Sequence, residues 1–244
     1  MIFNREKHFQ SGQVFLFNFR KKRADFIKKI ISFIYKKNNS CKIIDLGGTE
    51  EFWNIIDTNF LYENNVKITL INLHPYAVKN KQIFKIHHMD FFSLNPKDFS
   101  DFDLSFSNSV IEHLENDENQ RKFASLHKTI AKYYYCQTPN KHFPIEPHFM
   151  FPFFQYLPKQ IKIILLVRFN LGNFDNIQNE NEASRYLKEI QLLSKKDIIR
   201  LFSNNFLEEE KFFFLAKSYI CQNIINSNLV KENNNLRGSR ITHI

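Results

Sequence analysis

Cysteine is sparse and scattered. Cys41, Cys136 and Cys221 are the only three in 244 residues, and none falls in a CxxC spacing, so no zinc or redox pair is expected. Each lies in an apolar, strand-like context, which predicts buried, reduced thiols. Long hydrophobic runs are missing too: the longest, Ile161 to Val167, is interrupted by Lys162 and closed by Arg168, far short of a membrane span. The first twenty residues scatter charges among phenylalanines with no apolar core and no small-residue cleavage site. No signal peptide is therefore expected, and a cytoplasmic location is. The glycine pair Gly47-Gly48 lacks the third glycine of a dinucleotide fingerprint, and no Gly-Lys-Ser/Thr follows to cradle phosphates. No internal repeat is visible.

What the chain does contain is apolar content for one substantial core: 43% of residues are hydrophobic and 16% aromatic, with 28 Phe against one Trp. The formal net charge is +9. Frequent Lys, Asn, Ile and Phe fit an A+T-rich coding sequence, which softens the charge as an argument for an anionic partner. Residues 20–36 carry apolar side chains at Phe26, Ile27, Ile30, Ile31, Phe33 and Ile34, the spacing of a helix with one buried face. Short apolar runs follow at 41–46, 66–73, 83–88, 102–107, 131–137, 209–215 and 217–222. The first five are separated by segments long enough for crossover helices, such as 50–57 and 116–130. This alternation predicts an α/β fold, a Rossmann-like doubly wound sheet, mostly parallel. The last two runs lie close together, as in a C-terminal antiparallel hairpin.

Between the fifth and sixth strands, residues 138–175 break the pattern with five prolines among many aromatics. That segment reads as an aromatic lid whose rings must bury against the domain. Expected organisation is a helical extension over 1–39, the main domain over 40–222 with the lid inside it, and a tail over 223–244.

The apolar strand Lys42-Ile43-Ile44-Asp45-Leu46 runs into Gly47-Gly48. Further on, Phe102 to His113 gives a strand ending in small polar residues. In this order, with Ile71-Asn72-Leu73-His74-Pro75 and Met89-Asp90-Phe91 between them, the pieces resemble a class I S-adenosylmethionine-dependent methyltransferase. Gln137 to Asn140, Phe143 to Phe149 and Lys217 to Tyr219 resemble a largely uncharacterised subgroup, closer to small-molecule and glycan-modifying enzymes than to nucleic-acid ones. The resemblance implies S-adenosyl-L-methionine as cofactor, held by Asp45, Gly47, Gly48, Asn72, Leu73, Asp90, Phe91, Ser107 and Asn108. A side chain at Gly47 is expected to enter the cofactor's path. Asn72 stands where an acid usually meets the ribose hydroxyls, and the first motif is short of glycines.

Glu112 and His113 follow the fourth strand, where acceptors approach. His113 reads either as the base that takes the acceptor proton or, with Glu112, as a capping or core group. His142, Glu146 and His148 either orient a polyhydroxylated or carboxylated acceptor or satisfy loop carbonyls. Some similar O-methyltransferases hold a metal at a Glu-x-x-Glu-His spacing; here Ser109 replaces the first Glu, so no metal site is expected. His87 and His88 point to opposite faces of a strand and share no metal. The implied function is methyl transfer to oxygen of a small molecule or sugar precursor. RNA methylation is one alternative, although no base-flipping motif is visible, and a non-catalytic cofactor- or partner-binding role is another.

Overall fold

The computed structural model describes residues 11–95, 97, 99, 101–169, 171, 177–203 and 206–224. Helix α1 (Ser11–Asn38) extends past the predicted 20–36 at both ends. Its inward stripe is Ile27, Ile30, Ile31 and Ile34, all fully buried. It closes at Asn39, which takes a left-handed backbone with φ of 54° and donates its N–H to the Tyr35 carbonyl at 2.8 Å, a conformation asparagine tolerates after a helix.

Among the described residues, seven strands form one sheet. In chain order they are β1 (Cys41–Leu46), β2 (Val66–Asn72), β3 (Phe84–His88), β4 (Leu104–Asn108) and β5 (Tyr133–Pro139), then β8 (Phe206–Phe212) and β9 (Leu215–Gln222). Two short strands, β6 (Ile145–Glu146) and β7 (Phe151–Pro152), pair separately. The sheet order is β3-β2-β1-β4-β5-β9-β8. β1 through β5 pair in parallel, whereas β9 runs antiparallel to both β5 and β8. The expected doubly wound sheet with a terminal hairpin is therefore present. β1, β4 and β5 sit in the middle and are buried along nearly their whole length, as expected of parallel strands covered on both faces.

One face of the sheet packs on α1 and on the residues around α2 (Glu50–Trp53) and α3 (Thr58–Glu63); Trp53, Ile56 and Leu61 meet Ile43, Ile68 and Phe106 there. The other face is covered by α4 (Asp117–Ile130) and α7 (Lys195–Phe202), through Phe123, Ile130, Ile198 and Phe202 against Ile44, Tyr134 and Cys136. α4 is capped by Asn116, whose side chain accepts from the Asn119 N–H, and carries Asp117 and Glu118 in its first turn. All three cysteines are buried and free.

The insertion differs from expectation in how it buries its rings. It contains β6, β7 and α5 (Lys159–Arg168), and it reaches past the expected boundary at 175 to include α6 (Glu180–Glu189). Phe149 and Phe154 pack with Leu166, Ile177, Ala183 and Tyr186 in a cluster of their own. The helices of the insertion supply the apolar partners that the main sheet was expected to supply, and Met150, Phe153 and Tyr156 stay exposed. Of the expected tail, Asn223 accepts from the Tyr134 N–H at 2.9 Å and Ile224 is buried; residues 225–244 lie outside the described residues. Among the described residues no helix is long and apolar enough to cross a membrane.

Candidate functional site

The chain runs outward from β1 to β3 and then returns to place β4 beside β1. The loops after β1 and β4 therefore diverge at the carboxyl ends of two adjacent strands, the switch point where α/β sheets gather ligands.

The β1 loop is braced from within. Asp45 is buried; its Oδ2 accepts from Trp53 Nε1 at 2.8 Å, and its Oδ1 has no partner among the described residues. Burial pushes this carboxyl up to about 7, with the Trp53 hydrogen bond pulling the other way. Gly48 lies directly over that carboxylate: a Cβ there would stand 1.8 Å from Asp45 Oδ2. Gly47 has φ of +82°, and a Cβ on it would stand 2.9 Å from Val110 Cγ2. Both glycines are thus required by the protein's own neighbours, a different reason from intrusion on a cofactor.

Asn72, at the end of β2, donates from Nδ2 to the Gly48 carbonyl at 3.0 Å and to the Gly47 carbonyl at 3.3 Å, and its Oδ1 accepts from the His74 N–H at 3.0 Å. Tyr76 donates its hydroxyl to the Gly48 carbonyl at 2.9 Å. Glu50 accepts from the N–H groups of Lys79 and Asn80. Asn72 therefore works first as a clasp between two loops. Beside it, Leu73 is 63% exposed, an uncovered apolar side chain at the strand end. Asp90 caps the turn at Phe91–Ser93 by accepting from the Phe92 N–H at 2.8 Å, and Phe91 is turned into the core against Phe123.

Along β4, alternation decides which side chains reach the cleft. Ser105 and Ser107 point under α4, where their hydroxyls lie 2.8 and 2.9 Å from the two ring nitrogens of buried His127. Burial lowers that imidazole to about 3, so it sits neutral between two hydroxyls. The Ser107 side chain is thus a core group rather than part of a cofactor surface. Asn108 faces the other way, and its Oδ1 accepts from Arg23 of α1 at 2.7 Å.

Glu112, His113 and His148 converge. One ligand-capable atom from each lies within 4.8 Å of the other two. The Nε2 atoms of His113 and His148 are 3.2 Å apart, with the rings at 89° to each other. The buried Glu146 holds His148 in place: its Oε1 is 2.7 Å from Nδ1, and its Oε2 accepts from the N–H groups of His148 and Phe149 at 2.8 and 2.7 Å. Thr138 donates to Glu112 Oε2 at 2.9 Å, while Glu112 Oε1 is buried with no partner among the described residues. Burial raises the Glu112 carboxyl, opposed by His148. Partial burial and then His148 lower the His113 imidazole to about 4. For His148, burial pulls down, but the hydrogen bond and charge of Glu146 win and the imidazole is raised.

Of the residues singled out from sequence, Glu112, His113, Glu146 and His148 are brought together across the base of the insertion. His142 is not in that cluster: its Nδ1 is 2.7 Å from the Tyr156 hydroxyl. Sequence reading missed Trp53, Tyr76, Thr138 and Arg23. Arg23 belongs to the basic run Arg20-Lys21-Lys22-Arg23, and in the fold its guanidinium pairs with Glu210 and reaches Asn108.

No family model matches the chain, and no curated protein matches it. Solved structures do. A Rhodobacter sphaeroides protein named for the Zn-dependent alcohol dehydrogenases aligns with a TM-score of 0.50 and 12% identity, over 78% of this chain and 86% of that one. A magnesium protoporphyrin IX methyltransferase from Synechocystis, with S-adenosylhomocysteine bound, gives 0.47 and 10% over 83% and 81%. A 1,6-didemethyltoxoflavin-N1-methyltransferase from Burkholderia thailandensis, with its substrate and S-adenosylhomocysteine bound, gives 0.46 and 8% over 86% and 79%. At such identities the likeness concerns the Rossmann-like fold alone.

Proposed function

We propose that the chain is an S-adenosylmethionine-dependent methyltransferase that acts on an oxygen of a small molecule or sugar precursor. One observation carries the reading: at the switch point between β1 and β4, a glycine loop clasped by Asn72 and Tyr76 stands beside a cluster of one carboxylate and two imidazoles. The strand order, with an antiparallel terminal hairpin, agrees with the resemblance drawn from the sequence.

The residues present fit the cofactor. Asp45 keeps an unpartnered, buried carboxylate oxygen under the loop, a fit for a cationic group. Leu73 offers an uncovered apolar surface, a fit for a ring. Asp45, Gly47, Gly48, Asn72, Leu73, the Asp90–Phe91 turn and Asn108 would hold it. When bound, it supplies a methyl group on a positively charged sulfur. What remains for the protein is to align the acceptor and receive its proton. His113, exposed and held neutral, would receive the acceptor's proton, and His148, 3.2 Å from its Nε2, fixes its orientation. The insertion supplies His148 and Glu146, so it forms the acceptor wall.

Calorimetry of the full chain with S-adenosylmethionine and S-adenosylhomocysteine, followed by S-adenosylhomocysteine release assays with hydroxylated acceptors, tests the reading. Binding of both is the expected result. A folded wild-type chain that binds neither would overturn it, and binding without turnover across acceptors would favour a non-catalytic role.

A further inference from the structure

We infer that Glu112, His113 and His148 form a binding site for a divalent transition metal of the zinc type, with one coordination position open to the acceptor cleft. The first argument is spacing. Two imidazole nitrogens on a tetrahedral zinc, each at about 2.0–2.1 Å, lie about 3.3 Å from one another; His113 Nε2 and His148 Nε2 are 3.2 Å apart.

The second is the unpartnered oxygen. A hydrogen bond between the two imidazoles accounts for their approach, yet it does nothing for Glu112 Oε1, which is buried with no partner among the described residues. The residue is fully buried, and an isolated buried carboxylate is costly. One ligand atom from each of Glu112, His113 and His148 lies within 4.8 Å of the other two, so a cation held among them satisfies the carboxylate together with both imidazoles. Thr138 occupies only Oε2, which leaves Oε1 for the metal.

The third is the support behind the ligands. His148 turns its Nδ1 to Glu146 at 2.7 Å, and Glu146 is itself pinned by two backbone N–H groups. A carboxylate behind a ligating histidine fixes the tautomer that bares Nε2 and raises its basicity. Two imidazoles and one carboxylate suit zinc and its neighbours rather than magnesium, which favours an all-oxygen octahedron.

Adjacent Glu112 and His113 lie on the short turn Ile111–His113 after β4, and the third ligand comes from the insertion, 35 residues further along. That third ligand makes up for Ser109, the position at which the sequence pattern argued against a metal. Three protein ligands leave a position for water or an acceptor hydroxyl. A hydroxyl bound there loses its proton to solvent more readily, which replaces the base role of His113. This catalytic part rests on the methyltransferase reading; metal binding itself does not.

The test is titration of chelator-stripped full-length protein with Zn2+ by calorimetry, and with Co2+ by visible absorption. One equivalent of Zn2+ and the intense absorption of tetrahedral Co2+ are expected. His148→Ala and Glu112→Gln should each weaken Zn2+ at least tenfold, Glu146→Gln by roughly 10–100-fold, and His74→Ala not at all. Should Glu112→Gln fail to fold, Glu146→Gln and His148→Ala still decide. Failure of the stripped wild type to bind one equivalent of added Zn2+, or unchanged affinity in His148→Ala, overturns the site. S-adenosylmethionine binding measured on the same stripped and Zn2+-loaded samples separates the two readings. Cofactor binding without metal binding removes only the metal site, and metal binding without cofactor binding removes only the methyltransferase assignment.

Discussion

Replacing Asp45 by Asn tests whether the β1 loop carries a buried charge. Burial raises this carboxyl from 3.8 to about 7, and the side chain is 1% exposed, so solvent screening takes little away. A raised folded-state value means that the native chain binds more protons than the unfolded chain between those two pH values. Stability therefore falls as pH rises through that window and is flat outside it. At about 1.36 kcal/mol per pH unit, the ionised carboxylate costs on the order of 4 kcal/mol above pH 7 and nothing below pH 4. Asparagine keeps an acceptor for Trp53 Nε1, but its new amide N–H groups face the place where Oδ1 has no partner. This costs roughly 1–3 kcal/mol at every pH. The two stability curves should cross: Asp45→Asn less stable at pH 4, equal or more stable at pH 8. Urea unfolding of both proteins at half-unit pH steps measures this, and taking the difference cancels every other titrating group. A difference that stays constant with pH would refute the argument. Under the cofactor assignment, wild-type affinity for S-adenosylmethionine should also rise between pH 5 and 8, because a cationic ligand favours the ionised form, and the variant should show no such rise.

Gly48→Ala drives a Cβ to 1.8 Å from Asp45 Oδ2 and should cost roughly 1–3 kcal/mol in thermal unfolding, as overpacking does, with the Trp53 fluorescence altered. Asn72→Asp replaces a two-carbonyl donor by a carboxylate facing the Gly47 and Gly48 oxygens; it should weaken both stability and cofactor binding, and tighter binding in that variant would remove the clasp. Arg23→Ala leaves Glu210, whose side chain is 9% exposed, with the Ser218 hydroxyl as its remaining hydrogen-bond donor among the described residues, and should cost up to about 3 kcal/mol. The coupling energy in a double-mutant cycle with Glu210→Gln reports on that pair directly.

How far the fold could be read ahead depended on whether its determinants were local. β1, β4 and β5 are buried on both faces, so each was visible as a short stretch rich in apolar residues, and crossover helices were marked by the length of segments such as 116–130 between them. The aromatic insertion was visible as composition. Its packing was not, because Phe149 and Phe154 meet Ile177, Ala183 and Tyr186 from helical segments that no periodicity ties to them. The extra turns of α1 before residue 20 carry no regular apolar spacing, so the pattern stopped short of the helix.

The site shows the same division more sharply. Ser105 and Ser107 share a strand face by the two-residue period, and that period already separates Ser107 from Asn108. Assigning both to the cofactor ignored it, and the structure puts one under α4 with His127 and the other toward Arg23. Nothing comparable linked His113 to His148. Glu112 and His113 looked incomplete because a metal site was sought within one turn of helix spacing, where Ser109 supplies no carboxylate. The missing ligand arrives through tertiary structure: β5 carries the chain past Thr138, β6 presents Glu146, and the turn after it swings His148 back to within 3.2 Å of His113. A cluster assembled in this way depends on the insertion's own core. A cavity-forming change there, such as Phe154→Ala, should act on His148 before it acts on the main sheet. Loss of Zn2+ affinity in a variant whose sheet unfolds at the wild-type urea concentration would show that dependence, while unaltered affinity would mean that β5 and the β4 turn hold the site without it.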